Sequence, residues 1–199
     1  EAKMVICSDF NKRGAKHIPV KAVVDEALGL GCTTIESVVV YKSTKKEFDW
    51  NDKLDVDFCE IMDGVDDFCE PEVMDSEDPL FILYTSGSTG KPKGVVHTTA
   101  GYMIYTAYTF KNIFQYQEND IYWCTADQGW VTGVSYGIIG PWINGITQLQ
   151  FEGNFKAESW MSILEKYHVN ILYSAHTVFR MLMQNQDSFF QKFDYSSLK

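Results

Sequence analysis

The chain has little of what marks a membrane or secreted protein. No apolar run among its 199 residues is long enough to span a lipid bilayer. Residues 1–12 also show neither the basic start nor the apolar core of a signal peptide. We therefore expect a protein that works in the cytoplasm and has no membrane partner.

Cysteine and histidine are few and lack the spacing that metals or disulfides require. Five cysteines form an odd, scattered set with no CxxC pair, and four histidines form no cluster with metal-ligand spacing. Such a set favours a reducing compartment, with the thiols in the core or at the surface. We expect no metal-binding set of side chains. The cysteines are Cys7, Cys32, Cys59, Cys69 and Cys124.

Positive charge is the minority sign in this chain. There are 17 Lys and Arg against 27 Asp and Glu, which gives a formal net charge of −10 at pH 7. A nucleic acid partner needs a basic face that neutralises its phosphates, so this balance argues against one. A small nucleotide would have to meet positive charge that is concentrated locally.

Apolar residues, in contrast, are plentiful. The composition is 45% hydrophobic, which is enough for a substantial core. Short apolar runs alternate with helical patterns and predict an α/β fold with strands flanked by helices. The stretch 42–79 is polar and acidic and is expected at the surface. The predicted strands are 4–7, 35–41, 80–84, 95–98, 121–124, 147–151 and 170–173, and the predicted helices are 19–28, 100–114, 134–142, 159–167 and 177–184.

Residues 81–98 read FILYTSGSTGKPKGVVHT and carry the strongest functional signal. Glycines let the backbone approach an anion closely, hydroxyls donate hydrogen bonds to phosphate oxygens, and lysines add positive charge. The pattern predicts a phosphate-binding loop, carried as a mobile flap between two strands. The residues with these roles are Gly87, Gly90 and Gly94, then Thr85, Ser86, Ser88 and Thr89, and finally Lys91 and Lys93.

Two other interpretations of this loop fit less well. A plain hairpin turn of about two to five residues needs no paired lysines. The P-loop of a kinase or NTPase needs a helix directly after its lysine, whereas Lys91 is followed by Pro92 and then by the strand-forming pair Val95 and Val96. The phosphate-binding flap is therefore the preferred interpretation.

The segment from Thr85 to Gly94 resembles the signature loop of the acyl-adenylate-forming enzymes. These include acyl-CoA synthetases, luciferases and the adenylation domains of peptide synthetases. Three further stretches, 120–133, 140–147 and 170–183, resemble the acetyl-CoA synthetase branch. The resemblance runs nearly from end to end.

The resemblance implies that residues 1–199 are an internal part of the large N-terminal, AMP-binding domain of such an enzyme. Residues 1–79 would lie near CoA, and residues 80–199 would carry the phosphate loop and the acyl pocket. The later family motifs and the C-terminal domain have no match here. We expect this part alone to bind nucleotide weakly and to turn over no substrate.

The implied reaction joins ATP, a short-chain carboxylate and CoA to give acyl-CoA, AMP and pyrophosphate through an acyl-adenylate. Acetate is the expected acid. Its carboxylate is already ionised at pH 7, so adenylation needs no general base. Lys91 and Lys93 would act catalytically by stabilising the charge on the departing pyrophosphate, together with Mg²⁺ held mainly by phosphate oxygens.

Residues 126–133 resemble the family stretch that walls the acyl pocket. Trp130, Val131 and Thr132 match the positions that shape a small apolar slot. A bulky ring there would limit the length of the acid by excluded volume. From the residues alone, Trp130 could equally be an ordinary buried tryptophan in a turn between a helix and a strand.

Arg13 and Lys16 lie where acetyl-CoA synthetases similarly carry basic residues that meet the phosphates of CoA. The alternative is a pair of solvated cations in a loop after a strand, a common use of such residues. The resemblance implies the first role, whereas the residues alone favour the second.

Some positions depart from the common acetyl-CoA synthetase pattern. Val134 replaces a histidine, Gln128 a valine or proline, and His176 a proline. Gln128 or His176 could hydrogen-bond a distal hydroxyl, so propionate or a short hydroxy acid are alternatives to acetate. His176 could also be a satisfied core or loop histidine. A noncatalytic nucleotide-binding module is the remaining alternative, and no oligomeric state is indicated.

Overall fold

A computed structural model describes residues 2–13, 16–86 and 90–199, without the side chain of Arg13. The chain forms two compact units, Glu1–Pro71 and Glu72–Lys199. Both units combine strands with helices, which confirms the predicted α/β class. The two portions that the resemblance implies, 1–79 near CoA and 80–199 with the phosphate loop, stay a prediction.

The first unit is built on a three-stranded parallel sheet. In chain order its elements are β1 (Met4–Ser8), β2 (Phe10–Arg13), β3 (Lys16–Pro19), α1 (Val20–Gly29), β4 (Ser37–Tyr41), β5 (Asp55–Asp57) and α2 (Phe58–Met62). β4 lies between β1 and β5, and its valines Val38, Val39 and Val40 are all buried. Continuous β-branched runs of this kind suit a strand that is covered on both faces. β2 and β3 form a separate antiparallel hairpin.

The main elements of the first unit agree with the sequence patterns. Strands 4–7 and 35–41 and helix 19–28 are confirmed with small shifts of their ends. The expectation that 42–79 lies at the surface is wrong for β5, because Asp55 and Asp57 are buried there. Their carboxylates form ion pairs with lysines, which compensates for the loss of water.

The second unit contains a β-hairpin and another three-stranded parallel sheet. In chain order its elements are β6 (Pro79–Thr85), β7 (Lys93–Thr98), α3 (Thr99–Phe114), β8 (Ile121–Cys124), α4 (Val131–Val134), the π-helical segment Ser135–Ile139, α5 (Gly140–Ile143), β9 (Thr147–Leu149), α6 (Ala157–Tyr167), β10 (Ile171–Tyr173), α7 (His176–Leu182) and α8 (Asp187–Phe190). β6 pairs with β7, and β8 lies between β10 and β9.

β8 divides the core of the second unit into two clusters. Successive side chains of a strand point to opposite faces of the sheet. Trp123 therefore packs on one face with Trp160 of α6, while Tyr122 and Cys124 pack on the other with Phe110 of α3. Helices thus cover both faces of the sheet, which is the usual arrangement for parallel strands.

The predicted strands and helices of the second unit are confirmed, with one clear shift. The helix predicted at 134–142 starts at Val131, and its middle is π-helical. No sequence pattern predicts α8. Within the described ranges, no helix is both long and apolar enough to cross a membrane.

Candidate functional site

The hairpin β6–β7 carries the predicted phosphate-binding loop. The last paired residues are Thr85 and Lys93, so residues 86–92 form the connection. This confirms the prediction that two strands flank the loop. Gly90 has φ +80°, a left-handed conformation that glycine adopts without steric cost. Gly87, Ser88 and Thr89 lie outside the described residues.

Gly94 closes the loop at a point where a side chain would be tightly packed against its neighbours. It pairs with Tyr84 across the hairpin, and a Cβ atom added to it would lie 3.2 Å from Tyr84 Cζ and 3.0 Å from Ile82 Cγ2. The absence of a side chain lets the Tyr84 ring lie across the neighbouring strand. Gly94 therefore contributes to the packing at the base of the loop.

The loop side chains that the structure describes face solvent. Thr85, Ser86, Lys91 and Lys93 are all exposed. Within the described part of the chain, neither lysine forms an ion pair with a carboxylate. Two ammonium groups on flexible stems beside exposed hydroxyls can bind an anion such as a phosphate.

The second predicted segment lies at the start of the long helix formed by α4, the π-helical segment and α5. Trp130 is the N-cap residue, and Val131 and Thr132 belong to the first turn. Trp130 is 71% exposed and Val131 is 46% exposed. The interpretation of Trp130 as an ordinary buried tryptophan is therefore wrong. The turn at this point leads from a strand into a helix, and not from a helix into a strand as expected.

The turn before this helix is held by hydrogen bonds to the side chain and the carbonyl of Asp127. Asp127 Oδ1 accepts a hydrogen bond from Gly129 N at 2.7 Å, and the Asp127 carbonyl accepts one from Trp130 N at 3.0 Å. A Cβ atom on Gly133 would lie only 2.1 Å from that carbonyl oxygen. Because Gly133 has no side chain, the turn can pack directly against the helix. This packing fixes Trp130 as the residue at which the helix begins.

This turn follows the carboxyl end of β8, where ligands commonly bind in α/β sheets. Thr125 Oγ1 and Ser174 Oγ are 2.6 Å apart and join the ends of β8 and β10. Gln128 Nε2 donates a hydrogen bond to Gln150 Oε1, after β9, at 3.0 Å. His176 is the exposed first residue of α7, so the alternative of a core histidine is wrong.

Arg13 and Lys16 face each other in the first unit as the last described pair of the β2–β3 hairpin. They therefore belong to two strands, and the expectation of a loop after a single strand is wrong. Lys16 is exposed. The exposed Lys16 can attract an anionic group from solvent, although it provides no buried site.

Two cavities among the described residues contain none of the predicted site residues. A groove of about 470 Å³ in the second unit lies along β9 and α6 and is mostly apolar. A smaller cavity of about 280 Å³ in the first unit is lined by four carboxylates, those of Asp9, Asp25, Glu47 and Asp49. Such a lining would repel phosphate groups, so this cavity does not suit a nucleotide.

Two functional candidates are not predicted by any sequence pattern. Tyr102 of α3 and Ser135 of the π-helical segment form a buried hydrogen bond between their hydroxyls. The burial of Tyr102 raises the pKa of its phenol, so it stays protonated. π-helical turns often occur at functional sites, but the sequence gives little signal for one. Among the described residues, no group of three or more His, Cys, Asp or Glu is placed to hold a metal ion.

Comparison with known proteins gives one family and a set of close relatives. The family model described as AMP-binding enzyme matches residues 1–199. The chain is 50% identical to an acetyl-coenzyme A synthetase of Psychromonas ingrahamii, over the whole chain and 31% of that protein. It is 51% identical to one of Photobacterium profundum, over 92% of the chain and 29% of that protein. An acetyl-coenzyme A synthetase of Xanthomonas campestris is 48% identical over the whole chain. The chain thus spans about 31% of the length of the relatives that it matches fully.

Proposed function

The chain belongs to the family of AMP-binding enzymes, and on this premise we propose that it is part of an AMP-forming acid–CoA ligase. The observation that carries the proposal is its identity of about 50% with acetyl-coenzyme A synthetases along its whole length. The name of these relatives supports acetate as the acid, with ATP and CoA as the other substrates. A noncatalytic nucleotide-binding module is the competing proposal.

In the proposed reaction, the acid carboxylate attacks the α-phosphorus of ATP, and pyrophosphate leaves. The thiolate of CoA then attacks the acyl carbon of the acyl-adenylate, and AMP leaves. The first step needs orientation and charge stabilisation more than proton transfer, because the carboxylate is already ionised near neutral pH. An enzyme of this class can therefore work without a nucleophile and base of its own.

The phosphate loop would supply that charge stabilisation. Lys91 and Lys93 are exposed on the hairpin, next to hydroxyl groups, and would contact the β- and γ-phosphates as negative charge develops on the pyrophosphate. The turn at Gly90 would bring backbone N–H groups towards the same oxygens. The other loop residues proposed for this role are Thr85, Ser86, Gly87, Ser88, Thr89 and Gly94.

Mg²⁺ fits this arrangement as an ion that arrives with the nucleotide. The described residues provide no cluster of three or more His, Cys, Asp or Glu for it, and Mg²⁺ commonly keeps water and phosphate oxygens as most of its ligands. Bound in this way, it would neutralise phosphate charge. The chain would contribute the loop that holds the Mg²⁺-bound phosphates.

The acyl group would lie at the start of the helix that follows the Asp127 turn. Trp130 is exposed enough to pack against a small acid, and Val131 and Thr132 follow in the same turn of the helix. An aromatic wall of this kind favours acetate over longer acids. Each additional methylene that is accepted or refused would change kcat/KM by about 10- to 200-fold.

CoA is proposed to meet the basic end of the hairpin in the first unit. Arg13 and Lys16 are paired across β2 and β3, so two positive groups come from adjacent strands. The phosphates of CoA carry charge that such a pair would attract.

Pyrophosphate release by the full-length protein tests the proposal. Given ATP, Mg²⁺, CoA and acetate, the protein should release pyrophosphate only when the acid is present. Lys91→Ala with Lys93→Ala should lower kcat/KM by about 100-fold or more, because one lost charge-stabilising donor already costs about that much. Lys111→Ala is the control, since it removes an exposed lysine from α3 of the same unit.

Three outcomes separate the candidates. Acid-dependent release that is lost in the loop variant but kept in the control supports the ligase. Equal losses in both variants would exclude a specific role for the loop lysines. A folded protein that binds ATP but releases no pyrophosphate with any acid would favour the binding module.

The choice of acid is a second question for the same assay. Gln128 and His176 are both exposed near the carboxyl ends of β8 and β10, so each could reach a hydroxyl at the far end of a substrate. We propose acetate as the preferred acid, with propionate and short hydroxy acids as alternatives. If a hydroxy acid is preferred and Gln128→Val abolishes that preference, the hydroxy-acid alternative replaces acetate.

A further inference from the structure

The hairpin formed by β6 and β7, which carries the predicted phosphate-binding loop, packs against the first turn of α3 through three aromatic rings. Phe81 of β6 and His97 of β7 have ring centroids 4.8 Å apart. Tyr102 of α3 packs against both, at 4.7 Å from Phe81 and 4.8 Å from His97. Since α3 begins directly after β7, this packing sets the angle at which the hairpin leaves the helix.

Tyr102 is also hydrogen-bonded to the helix that begins with Trp130, Val131 and Thr132, the residues of the proposed acyl pocket (the acyl segment). Tyr102 Oη and Ser135 Oγ are 2.5 Å apart, and both residues are buried. Ser135 opens the π-helical segment and lies three residues after Thr132 on one continuous helix. Residues three apart lie close together on a helix surface. The hydroxyl pair is therefore one helical turn from the proposed acyl pocket.

Tyr102 thus touches both halves of the proposed site. In β7, His97 is four residues from Lys93 and projects to the same face of the hairpin, because side chains alternate along a strand. On the other side, the hydroxyl of Tyr102 reaches Ser135. One side chain therefore spans from the strand that carries a loop lysine to the helix that carries Thr132.

We propose that Tyr102 and Ser135 are positioning residues that keep the phosphate loop and the acyl segment in register for adenylation. This inference rests on the proposed function, in which the carboxylate must meet the α-phosphorus in line with the leaving pyrophosphate. A displacement of about 1 Å between two such groups can reduce the rate by about 100-fold. A single buried hydrogen bond between the supporting elements can control such a displacement.

The chain offers a matched control for this hydrogen bond. Tyr136, the next residue in the π-helical segment, pairs its hydroxyl with Thr109 Oγ1 of α3 at 2.9 Å. It therefore joins the same two elements by the same kind of bond. Its ring packs against Phe114 and Tyr173, away from the hairpin rings. Loss of this hydroxyl should weaken the helix contact without reaching the hairpin.

Kinetics of the full-length protein test the proposal. Tyr102→Phe and Ser135→Ala should each lower kcat for acid-dependent pyrophosphate release by about 10-fold, a fraction of the loss that misplacement can cause. KM for ATP and for acetate should stay within about twofold, since no ligand contact is removed. The double variant should be no slower than either single one, because the two hydroxyls act as one unit. Tyr136→Phe should keep kcat within about twofold.

A ligand-free measurement separates this inference from the proposed function. Amide hydrogen exchange should become faster in both 93–98 and 131–140 when Tyr102 is changed to Phe. Tyr136→Phe should affect 131–140 but leave 93–98 unchanged. If the unmodified protein forms no adenylate but exchange follows this pattern, the proposed function fails while the mechanical link between loop and helix holds.

Two results would overturn the inference. One is an unchanged exchange rate in 93–98 after Tyr102→Phe, which would mean that the hydrogen bond does not reach the hairpin. The other is an equal loss of kcat in Tyr136→Phe and Tyr102→Phe, which would reduce the role of Tyr102 to general packing between helices. Thermal unfolding of each variant shows whether the compared proteins are equally folded.

Discussion

Lys21 of the first unit and the loop lysines Lys91 and Lys93 of the second unit have opposite surroundings. In the first unit, Lys21 is 1% exposed, and its Nζ lies 2.6 Å from Asp25 Oδ1 and 2.8 Å from Asp55 Oδ2. In the second unit, Lys91 and Lys93 are exposed and, within the described residues, form no ion pair. A buried ammonium group must be compensated internally, whereas an exposed one can be compensated by a ligand. The contrast indicates a stabilising role for Lys21, and it agrees with the phosphate-binding role that we propose for the loop lysines.

Asp9 is a second buried charge of the first unit that is compensated by other groups of the chain. It is fully buried, and its two oxygens accept hydrogen bonds from the N–H groups and hydroxyls of Ser43 and Thr44 at 2.6 to 3.0 Å. These bonds tie the residue after β1 to the residues after β4. Burial opposes ionisation, but the hydrogen bonds outweigh it and hold the pKa of Asp9 well below its ordinary value. The first unit therefore uses buried charge to join neighbouring strand ends.

Replacement of Lys21 should produce the largest loss of stability. Burial disfavours its charge, but hydrogen bonds to Asp25 and Asp55 outweigh this and raise its pKa. Lys21→Met would leave the buried Asp55 without its cation and should lower the free energy of unfolding by about 3 to 5 kcal/mol. Urea denaturation of the full-length protein measures this change.

The control for this prediction is Lys3→Met. Lys3 also pairs with a carboxylate, that of Glu36, at 2.6 Å, but both side chains are mostly exposed. An exposed pair adds little stability, so this variant should unfold almost like the unmodified protein. If Lys21→Met were equally mild, the buried ion pair would have no stabilising role and the contrast with the loop lysines would be lost.

Replacement of Asp9 should come next and should depend on pH. Asp9→Asn removes the charge that five donors share, the fifth being the N–H of Phe10, and should lower the free energy of unfolding at neutral pH by about 3 kcal/mol. The pKa of Asp9 is lowered on folding, so its contribution is complete above the unfolded value of about 3.8. It is lost progressively as pH falls below that value.

Denaturation at several pH values checks the size of the stability loss in Asp9→Asn and the direction of its pH dependence. The difference between Asp9→Asn and the unmodified protein should be constant from pH 5 to pH 7 and should shrink in more acidic solution. The amide keeps the size of the side chain, so this variant removes the charge without creating a cavity. A difference that grew on acidification would contradict the assigned pKa direction.

Much of the fold follows from local sequence patterns. The strand predicted at 121–124 is found as β8, because a short apolar run with bulky residues favours a buried strand. The two strands around the loop are also confirmed, since Gly, Ser and Lys separate them clearly from the apolar runs. Local composition is enough to predict a strand or helix where its residues differ sharply from those on either side.

Long-range pairing explains what the sequence patterns miss. Asp55 and Asp57 look like surface residues in an acidic stretch, and only folding brings Lys21 and Lys42 to them. The hydrogen bond between Tyr102 and Ser135 joins residues 33 positions apart. Neither pairing leaves a periodic signal in the chain. Periodicity reports which face of one element is apolar, but not which polar group on another element will meet it.

The smallest expected effect concerns the stability role of the loop lysines. Lys91→Met and Lys93→Met repeat the substitution proposed for Lys21, but at exposed positions without a carboxylate partner among the described residues. Each should change the free energy of unfolding by no more than about 0.5 kcal/mol, as most surface substitutions do. Thermal unfolding without nucleotide measures this change. A loss comparable with that of Lys21→Met would mean that the loop lysines help to hold the fold. Their exposure would then no longer be an argument for phosphate binding.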